Sequence, residues 1–542
     1  MMKKFFKLLS AFLALVLSVG LFAACGNNTE IKTGGKYTYW VTLPAATSQT
    51  LTSFNELLFF KEMAKATGTE VEFIHPAAGS TGSEAFQILL TSGDYPDMIE
   101  YNWKSYTGGP DQAINDGVII SLNDYLKDYA PNYYDYMEGH KGKENGYLYK
   151  VQGVSANGNY YGFNNLSIGT YRTFGGIMIR KDMLDKWGLD IPETIDEWEV
   201  VLKTAKENGF RAPLTGAESL FSVVSVAETF NVAWDVAKDW YVEDGTVKFG
   251  PFEKGYKDYV KKMREWMEEG YIDPDYVTNS STDVEGYLTN DISIAAYGFV
   301  GGGIGKLMPA MEERNPEYSI VACPYPVLKK GDRAHLQDMG NEAGDPSVTI
   351  SVSCGKENED RYKEAIKWCD YLYSDDGMIL KTFGIEGETY TIQDDKEGNQ
   401  HYVYTDKIYN HEELGAHSVQ AALFHYIRPG NGPGLNQHPD YLDGYYPYKQ
   451  QKEAIVKWNE NVVEAREHIL PPLSYTAEEA GRKASLEAVC ASELDGAISN
   501  IILGKASFDT YDDVIKKAKK NGYGELLKIQ QTAYDRYIKA TK

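Results

Sequence analysis

Cysteine and cationic side chains are scarce in this 542-residue sequence. Apart from Cys25, the cysteines are Cys323, Cys354, Cys369 and Cys490, with no C-x-x-C pair and no zinc-type spacing to the nine histidines. We therefore expect no zinc site. The four cysteines other than Cys25 are expected to be free buried thiols, and the alternative is one disulfide among them. Lys and Arg number 54 against 78 Asp and Glu, a formal charge of −24. A chain this acidic does not attract nucleic acid or an anionic membrane face.

Catalytic signatures are missing as well. The sequence has no G-x-S-x-G, and the glycine run Gly301–Gly305 lacks both dinucleotide-loop spacing and a P-loop lysine. His411 and His417 are six residues apart, so they cannot share a helix face as zinc proteases require. Carboxylates are too numerous for a glycosidase pair to be chosen or excluded. We expect no cofactor and no metal.

The only long apolar run is at the N-terminus. Lys3, Lys4 and Lys7 precede an apolar stretch over residues 8–24, which is typical of an export signal. Its end, Phe22–Cys25, resembles the lipobox of bacterial lipoproteins, although Phe22 stands where an aliphatic residue is usual. The resemblance implies a signal peptide over 1–24 and an acylated Cys25 on a tether over 25–36, which anchors the protein to the outer face of the cell membrane. The alternative is an ordinary secreted protein with a stray cysteine.

Bulk composition favours a large folded protein. Hydrophobic residues make up 43% and charged residues 24% of the chain, which argues against extensive disorder. The roughly 515 residues after the signal exceed the usual size of one core, so two or more lobes are expected. Tyr (41) and Trp (9) are together more numerous than Phe (20). Rings with a polar group suit surfaces that are partly apolar and partly wet, although most of the tyrosines should line the interior.

Strand and helix patterns alternate from Tyr37 onwards. Residues 37–41, 70–74 and 97–101 alternate as strands, and residues 52–67 and 83–92 have helical periodicity. Strand–helix–strand–helix–strand order predicts a parallel sheet, in which ligands bind beyond the carboxyl ends of the strands.

A second α/β unit is predicted further along the chain. Residues 174–180 form its first strand and 181–187 its first helix, and Thr194 with Glu197 forms a capping box for the next helix. Further strands are predicted over 292–297, 318–322 and 348–352, and further helices over 255–269, 361–373 and 449–468. No internal repeat is visible.

Several stretches resemble one known family, the extracellular solute-binding lipoproteins of bacterial ABC importers of the large oligosaccharide-binding type. These stretches are Pro192–Trp198, Phe383–Tyr390, Ile502–Lys505, Tyr511–Val514 and Gln531–Tyr537. Within them, Phe383 and Glu388 depart from the family pattern.

The resemblance implies an α/β fold of two lobes, each a mostly parallel sheet flanked by helices, joined by a multi-strand hinge. Residues 37–170 plus 297–345 would form one lobe and residues 171–296 plus 346–542 the other. It further implies a monomeric receptor, not an enzyme, whose partners are an oligosaccharide and the transmembrane subunits of an ABC permease. Relatives often carry a calcium loop where this chain has Lys206–Pro213, a stretch with one carboxylate. Because calcium needs six or more oxygen ligands, we expect none there.

A sugar site needs aromatic platforms next to planar or charged hydrogen-bonding groups. Such groups stand at predicted strand ends, at lobe crossings and in the family-like motif. The candidate ligand-binding residues are Trp40, Asn102, Trp103, Tyr106, Tyr171, Arg172, Trp234, Tyr297, Phe299, Asn341, Glu342, Asp345, Glu386 and Tyr390. The alternatives are a receptor for another solute, such as a peptide or a metal, and a lipid-anchored enzyme that degrades glycans. Dispersed histidines disfavour the metal carrier.

Overall fold

The computed structural model describes residues 36–77, 80–141, 146–216, 229–336, 341–396, 398–416, 418–428 and 432–541. The lipobox and Cys25 lie outside these residues, and so does most of the predicted tether.

The described residues alternate between strands and helices along most of the chain. The strands are β1 (Tyr37–Trp40), β2 (Val71–Ile74), β3 (Met98–Tyr101), β4 (Phe163–Ser167), β5 (Gly175–Arg180), β6 (Leu214–Thr215), β7 (Trp240–Glu243), β8 (Thr246–Phe249), β9 (Ala295–Phe299), β10 (Ile320–Ala322), β11 (Ala343–Ile350), β12 (Tyr390–Asp394), β13 (Gln400–Tyr404) and β14 (Gly434–Asn436). The α-helices are α1 (Leu58–Thr67), α2 (Gly82–Ser92), α3 (Gly109–Asn115), α4 (Leu126–Tyr129), α5 (Pro131–Met137), α6 (Gly146–Gly153), α7 (Lys181–Trp187), α8 (Ile195–Glu207), α9 (Lys254–Glu268), α10 (Ser281–Thr289), α11 (Gly305–Glu312), α12 (Asp360–Asp370), α13 (Asp375–Phe383), α14 (Asp406–Tyr409), α15 (Val419–Leu423), α16 (Tyr441–Tyr445), α17 (Lys449–Trp458), α18 (Val462–His468), α19 (Ala477–Ile502), α20 (Tyr511–Ala518) and α21 (Gly524–Thr541).

The first lobe is built on a six-stranded sheet with the order β14-β4-β11-β3-β1-β2. Strands β1, β2 and β3 are parallel, as the alternation of strands and helices predicts. Strand β11 runs antiparallel to both of its neighbours, β3 and β4, and β14 is parallel to β4. Apolar side chains cover both faces of this sheet.

The second lobe is built on a four-stranded sheet with the order β10-β5-β9-β6. Strands β6, β9 and β10 run in the same direction, and β5, which lies between β9 and β10, runs antiparallel to both. The reason lies in the chain path. The chain comes into this lobe through β5 at the edge where β6, β9 and β10 end, so β5 must run against them.

Three segments carry the chain between the sheets. They are residues 168–174, 323–342 and 437–448, which we call the first, second and third crossings. In the first sheet the returning strand is β11, which follows the second crossing and is likewise antiparallel to its neighbours. The two-lobed α/β architecture therefore agrees with the expectation.

The lobe boundaries differ from those expected. Strand β9 and residues 305–322 belong with the second sheet, because β9 pairs with β5 through Phe299 and β10 pairs on the other side of β5. Residues 343–436 belong largely with the first lobe, because β11 pairs with β3 and β4, and α12 and α13 bury Trp368 and Leu380 in its core. The chain thus returns over 323–342, not at Tyr297.

Helix ends follow local sequence signals. Thr194 and Glu197 form the predicted capping box at the start of α8. The predicted helix over 449–468 is instead two helices, because Asn459 breaks it. The Asn459 side-chain oxygen accepts hydrogen bonds from the backbone N–H groups of Arg172 and Thr173 at 2.8 and 3.0 Å. Asn459, at this break, therefore attaches the first crossing to the second lobe.

Each lobe has its own hydrophobic core. Cys354 and Cys369 are buried in the core of the first lobe, and Cys323 and Cys490 in that of the second. All four are free thiols. Within the part of the chain that the structure describes, no helix is both long and apolar enough to cross a membrane.

A buried ion pair attaches the loop before β14 to the first sheet. The Arg428 Nη2 atom lies 2.5 and 2.7 Å from the two carboxylate oxygens of Glu100 in β3. The hydroxyl of Tyr39 also donates to Glu100, at 2.6 Å, and the Arg428 guanidinium lies over the ring of Phe54. Both members of the pair are almost fully buried.

We expect Arg428→Met to destabilise the protein strongly, because it leaves the Glu100 carboxylate buried without its cation. Removing one partner of a buried pair costs about 3–5 kcal/mol. The free energy of unfolding in urea measures the loss. Lys65→Met, which removes the cation of an exposed pair with Glu62, is the control and should leave the unfolding free energy nearly unchanged. Equal effects of the two substitutions would contradict the prediction.

Candidate functional site

Most strands of the first sheet end at the same edge of the sheet. Strands β1, β2, β3, β4 and β14 all end there, and β11 begins there, as the register shows: Ser347 is opposite Tyr101, and Asn436 is opposite Ser167. In α/β sheets the edge at the carboxyl ends of the strands is the usual place for a ligand. We call this the first edge.

The second sheet has a matching edge. Strands β6, β9 and β10 end there and β5 begins there. The first crossing joins the two edges with residues 168–174, which span at most about 25 Å when fully extended. The two edges therefore lie close to one another, and the space between them is the candidate site.

The second edge presents two aromatic rings. Tyr297 and Phe299 are on the same side of β9, and their ring centroids are 5.6 Å apart at 90°. Phe299 is 44% exposed, and Tyr297 is partly exposed. The ring of Tyr297 lies against Gly175 in β5, where a Cβ atom would collide with the phenol. A half-exposed ring pair held in this way is a suitable platform for a flat apolar ligand face.

A buried charge network connects the crossings. Glu342, directly before β11, accepts hydrogen bonds from Arg466 at 2.8 Å and from Gln152 at 2.7 Å. Arg172 in the first crossing lies 3.6 Å from the same carboxylate. Burial lowers the pKa of Arg172, and the charge of Glu342 opposes that shift. Arg172 and Glu342, both candidate ligand residues, are thus buried and paired with each other.

A second network lies at the end of β3. Lys104 donates to the carbonyl oxygen of Gln152 at 2.6 Å, and burial lowers its pKa. Asp345 accepts from the Ser347 hydroxyl at 2.7 Å and from the Lys104 backbone N–H at 3.4 Å. Burial raises the pKa of Asp345, and the positive charge of Lys104 opposes this. Lys104, Gln152 and Arg466 were missed in the sequence, where nothing marks them as members of a network.

The two tryptophans of the first edge are not ligand platforms in this structure. Trp103 is fully buried and Trp40 is 5% exposed, and both pack in one cluster with Phe86. The indole N–H of Trp103 donates to the carbonyl oxygen of Ile99 at 3.4 Å. Both residues stand at strand ends, as expected, but their rings turn into the core beneath the edge.

Asn102 and Tyr106 remain accessible at the first edge. Asn102 is exposed, and Tyr106 is partly exposed with its ring stacked on Trp103 at 6.1 Å. The Tyr106 hydroxyl donates to Asp116 at 2.8 Å, and burial together with this carboxylate raises its pKa. The buried Trp103 therefore supports a ring that can itself meet a ligand.

The remaining candidates are divided between the crossings and other parts of the fold. Tyr171 in the first crossing is partly exposed, and Asn341 before β11 is exposed. Trp234 is partly buried in the second lobe, with its ring 5.9 Å from that of Tyr259. Glu386 is exposed, but Tyr390 is buried against Phe383 and Tyr402 in a separate cluster.

Metal ligands are not grouped in the described parts of the chain. Over those ranges no cluster of three His, Cys, Asp or Glu residues could hold an ion. In the stretch Lys206–Pro213, helix α8 ends at Glu207, and the Lys206 ammonium donates to the carbonyl oxygen of Glu269.

Two lobes whose facing edges are joined by three crossings are the architecture expected of a hinged binding protein. The model of the family described as bacterial extracellular solute-binding protein matches residues 48–379, which is more than half of the chain. The chain belongs to this family.

Full-length relatives of this solute-binding protein are known. Lipoprotein LipO of Bacillus subtilis (strain 168) is 24% identical and is aligned over 96% of this chain and 97% of its own. The fructooligosaccharide ABC transporter substrate-binding protein FusA of Streptococcus pneumoniae serotype 4 is also 24% identical, with the same shares covered. The structure of FusA in complex with kestose superposes with a TM-score of 0.71 at 19% identity, over 93% of this chain and 99% of that chain. Alginate-binding protein AlgQ2 gives a TM-score of 0.69 at 20% identity, over 92% and 98%.

His75, at the first edge directly after β2, is fixed as a neutral ring. Its Nδ1 lies 2.8 Å from the carbonyl oxygen of Val41, and its Nε2 accepts from the backbone N–H of Phe54 at 3.0 Å. Burial lowers the pKa of His75, the hydrogen bond to Val41 opposes the shift, and the charge of Arg428 lowers it further.

We expect His75 to make the first lobe acid-sensitive. The unfolded chain takes up a proton on this ring near pH 6.5, whereas the folded chain does so only at lower pH. The stabilisation is therefore complete above about pH 6.5 and is lost as the pH falls through the folded pKa. Urea unfolding at several pH values between 7.5 and 5 should show the stability advantage of the wild type over His75→Asn shrinking on acidification. A pH-independent difference would contradict this.

Proposed function

We propose that this protein captures an uncharged oligosaccharide between its two sheet edges and delivers it, unaltered, to the permease of an ABC importer. A lipid anchor on Cys25 would hold the protein at the outer face of the cell membrane. The protein would act as a monomer. The observation that carries the proposal is the similarity along nearly the whole chain to FusA, whose name describes a fructooligosaccharide ABC transporter substrate-binding protein.

The exposed groups at the two edges support a sugar ligand. Tyr106 and Phe299 offer ring faces on opposite edges, Tyr171 lies between them in the first crossing, and Asn102 and Asn341 are exposed amides. Flat C–H faces of sugars stack on such rings, and amides bond their hydroxyls. Trp234 and Tyr297 would contribute further from the second lobe.

The charge pattern favours a neutral ligand over an anionic one. The cations next to the first edge are engaged within the protein: Arg172 and Arg466 by Glu342, and Lys104 by Gln152. An acidic glycan would have to compete with Glu342 for these cations, against the overall charge of −24. Two or three stacked rings can supply a micromolar Kd, about −8 kcal/mol.

Calorimetric titration tests the proposal directly. The mature chain should bind at least one neutral member of a panel of fructo-, galacto-, xylo- and malto-oligosaccharides, and chromatography after the titration should recover that sugar intact. Shortened sugars would show a glycan-degrading enzyme instead. Absence of heat with every sugar, together with tight binding of a peptide, would indicate a receptor for another solute.

We expect Phe299→Ala to weaken oligosaccharide binding about tenfold or more, equivalent to ~1.4 kcal/mol, because the variant removes an exposed stacking ring. Val200→Ala is a matched control in the same lobe, since Val200 is an exposed apolar residue on helix α8. The control should bind like the wild type. If the two variants keep equal affinity for the sugar, Phe299 does not contact it.

The anchor has its own test. Expressed with its complete N-terminus in a bacterial host, the wild type should remain with the membrane fraction, and Cys25→Ala should not be acylated and should lose its lipid label. Incorporation of radiolabelled palmitate followed by fractionation measures both. Equal labelling of the two proteins would contradict acylation at Cys25.

A further inference from the structure

The two lobes also meet away from the three crossings. Helix α19 belongs to the second lobe, where its side chains Leu494 and Ile498 lie in the core. Its amino end contacts helix α3 of the first lobe. The residues directly before α19 reach the carboxyl end of α6, which is also in the first lobe. We call residues 474–480 the clasp.

Two close approaches join the clasp to the first lobe. The Ser474 hydroxyl donates to the carbonyl oxygen of Val154, directly after α6, at 2.7 Å. A Cβ atom built on Gly109, the first residue of α3, would lie 3.9 Å from the carbonyl oxygen of Tyr475 and 4.0 Å from the Cβ atom of Ala480. The backbone of α3 and the Ala480 methyl group are therefore close neighbours, and a large side chain at position 480 would push the lobes apart.

The second lobe holds the clasp rigidly. Arg536 in α21 donates to the carbonyl oxygen of Ser474 at 3.0 Å and to the Glu479 carboxylate at 2.6 Å. Thr476 is the N-cap of α19, and Glu479 completes its capping box. These bonds tie the clasp to two long helices of the second lobe, so the clasp moves with that lobe as one body.

The surface that the clasp meets on the first lobe is equally well fixed. The backbone N–H of Gly109 donates to the carbonyl oxygen of Tyr106 at 2.7 Å, which closes a turn ahead of α3. Tyr106 is the partly exposed ring at the first edge. Two residues before Val154, the Gln152 side chain donates to Glu342. The clasp thus contacts a part of the first lobe that is connected both to the candidate cleft and to the hinge network.

The contact is small and separable. Ser474, Tyr475 and Ala480 all remain partly exposed. One hydroxyl hydrogen bond and one approach of an alanine to a glycine bury far less apolar surface than the core of either lobe. Lobes that meet through a small contact of this kind are expected to move relative to one another. Because every group in the contact belongs to the protein, the contact can form with or without a ligand between the edges.

We propose that the clasp is a reversible latch, which brings the lobes into their closed arrangement before any solute is bound. The unliganded chain then already samples the closed form, and a solute stabilises that form rather than creating it. The strength of the clasp sets the fraction of closed molecules, and this fraction sets the apparent affinity. The effect on affinity rests on the proposed capture between the edges, whereas the latch itself does not.

Cysteine cross-linking tests the latch without a ligand. The separation of 4.0 Å between the two Cβ positions lies within the range of a disulfide. In the mature chain, Gly109→Cys combined with Ala480→Cys should become cross-linked on mild oxidation in the absence of sugar, and mass spectrometry identifies the joined peptides. Since Gly109 has a φ of 74°, the single variant Gly109→Cys is the control for strain at this glycine.

Small-angle X-ray scattering gives a second measurement that leaves Gly109 unaltered. Ala480→Trp should separate the lobes and raise the radius of gyration of the unliganded chain above that of the wild type. Ala488→Trp, at an exposed position two turns further along α19, is the matched control and should keep the wild-type value. A folding defect of the cysteine pair therefore does not decide the outcome.

Sugar affinity provides a third measurement. With a neutral oligosaccharide that binds the wild type in the calorimetric panel, Ala480→Trp should weaken binding about tenfold, because fewer molecules are closed. Ser474→Ala, which removes one hydrogen bond, should weaken binding about threefold. Ser485→Ala is its control, since that hydroxyl donates within α19 to the carbonyl oxygen of Gly481, and it should bind like the wild type.

Two results would overturn the latch. One is a cysteine pair that becomes cross-linked only after an oligosaccharide of the panel is added, or that never does. The other is an Ala480→Trp variant with the same radius of gyration as Ala488→Trp. If no sugar binds the wild type, the cross-linking and the scattering still decide whether the latch exists, so this proposal and the proposed function can fail separately.

Discussion

The buried carboxylate of Glu342 is the interaction on which the joint between the lobes depends. It stands where the chain returns to the first sheet, and it is shared by Gln152 of the first lobe, Arg172 of the first crossing and Arg466 of the second lobe. Because ionised groups in such a place must be paired, the geometry of the crossings is tied to one set of hydrogen bonds. The first crossing is held by this carboxylate through the Arg172 side chain and by Asn459 through the backbone N–H groups of Arg172 and Thr173.

The chain path explains which parts of the fold were predictable. The alternation of β1, β2 and β3 with α1 and α2 is plain in the sequence because the strand segments have a two-residue pattern and the helix segments have helical periodicity. Strand β11 was harder, since its first residues, Ala343–Pro346, are those of a loop, and only the pairing of Ala343 with Leu166 shows that they form a strand. The predicted lobe boundaries differ from the structure at this strand, because β11 pairs within the first sheet. The reversed direction of β5 could not be inferred either, because it follows from where the chain comes in, not from local composition.

The candidate site was predictable in place but only partly in detail. Trp40 and Trp103 do stand at the first edge, yet both faces of a central strand are covered, so a ring at its end can turn inward, as these do. Phe299 ends β9 before the glycine run and remains exposed.

The four buried thiols have a practical consequence. Cys354 and Cys369 lie in the first core and Cys323 and Cys490 in the second, so each lobe carries two native reporters of its own opening. Since all four are free, reducing agents should not loosen this part of the chain. The rate at which a thiol reagent modifies each pair would record whether the lobes come apart internally one after the other or as a single cooperative body, without any introduced label.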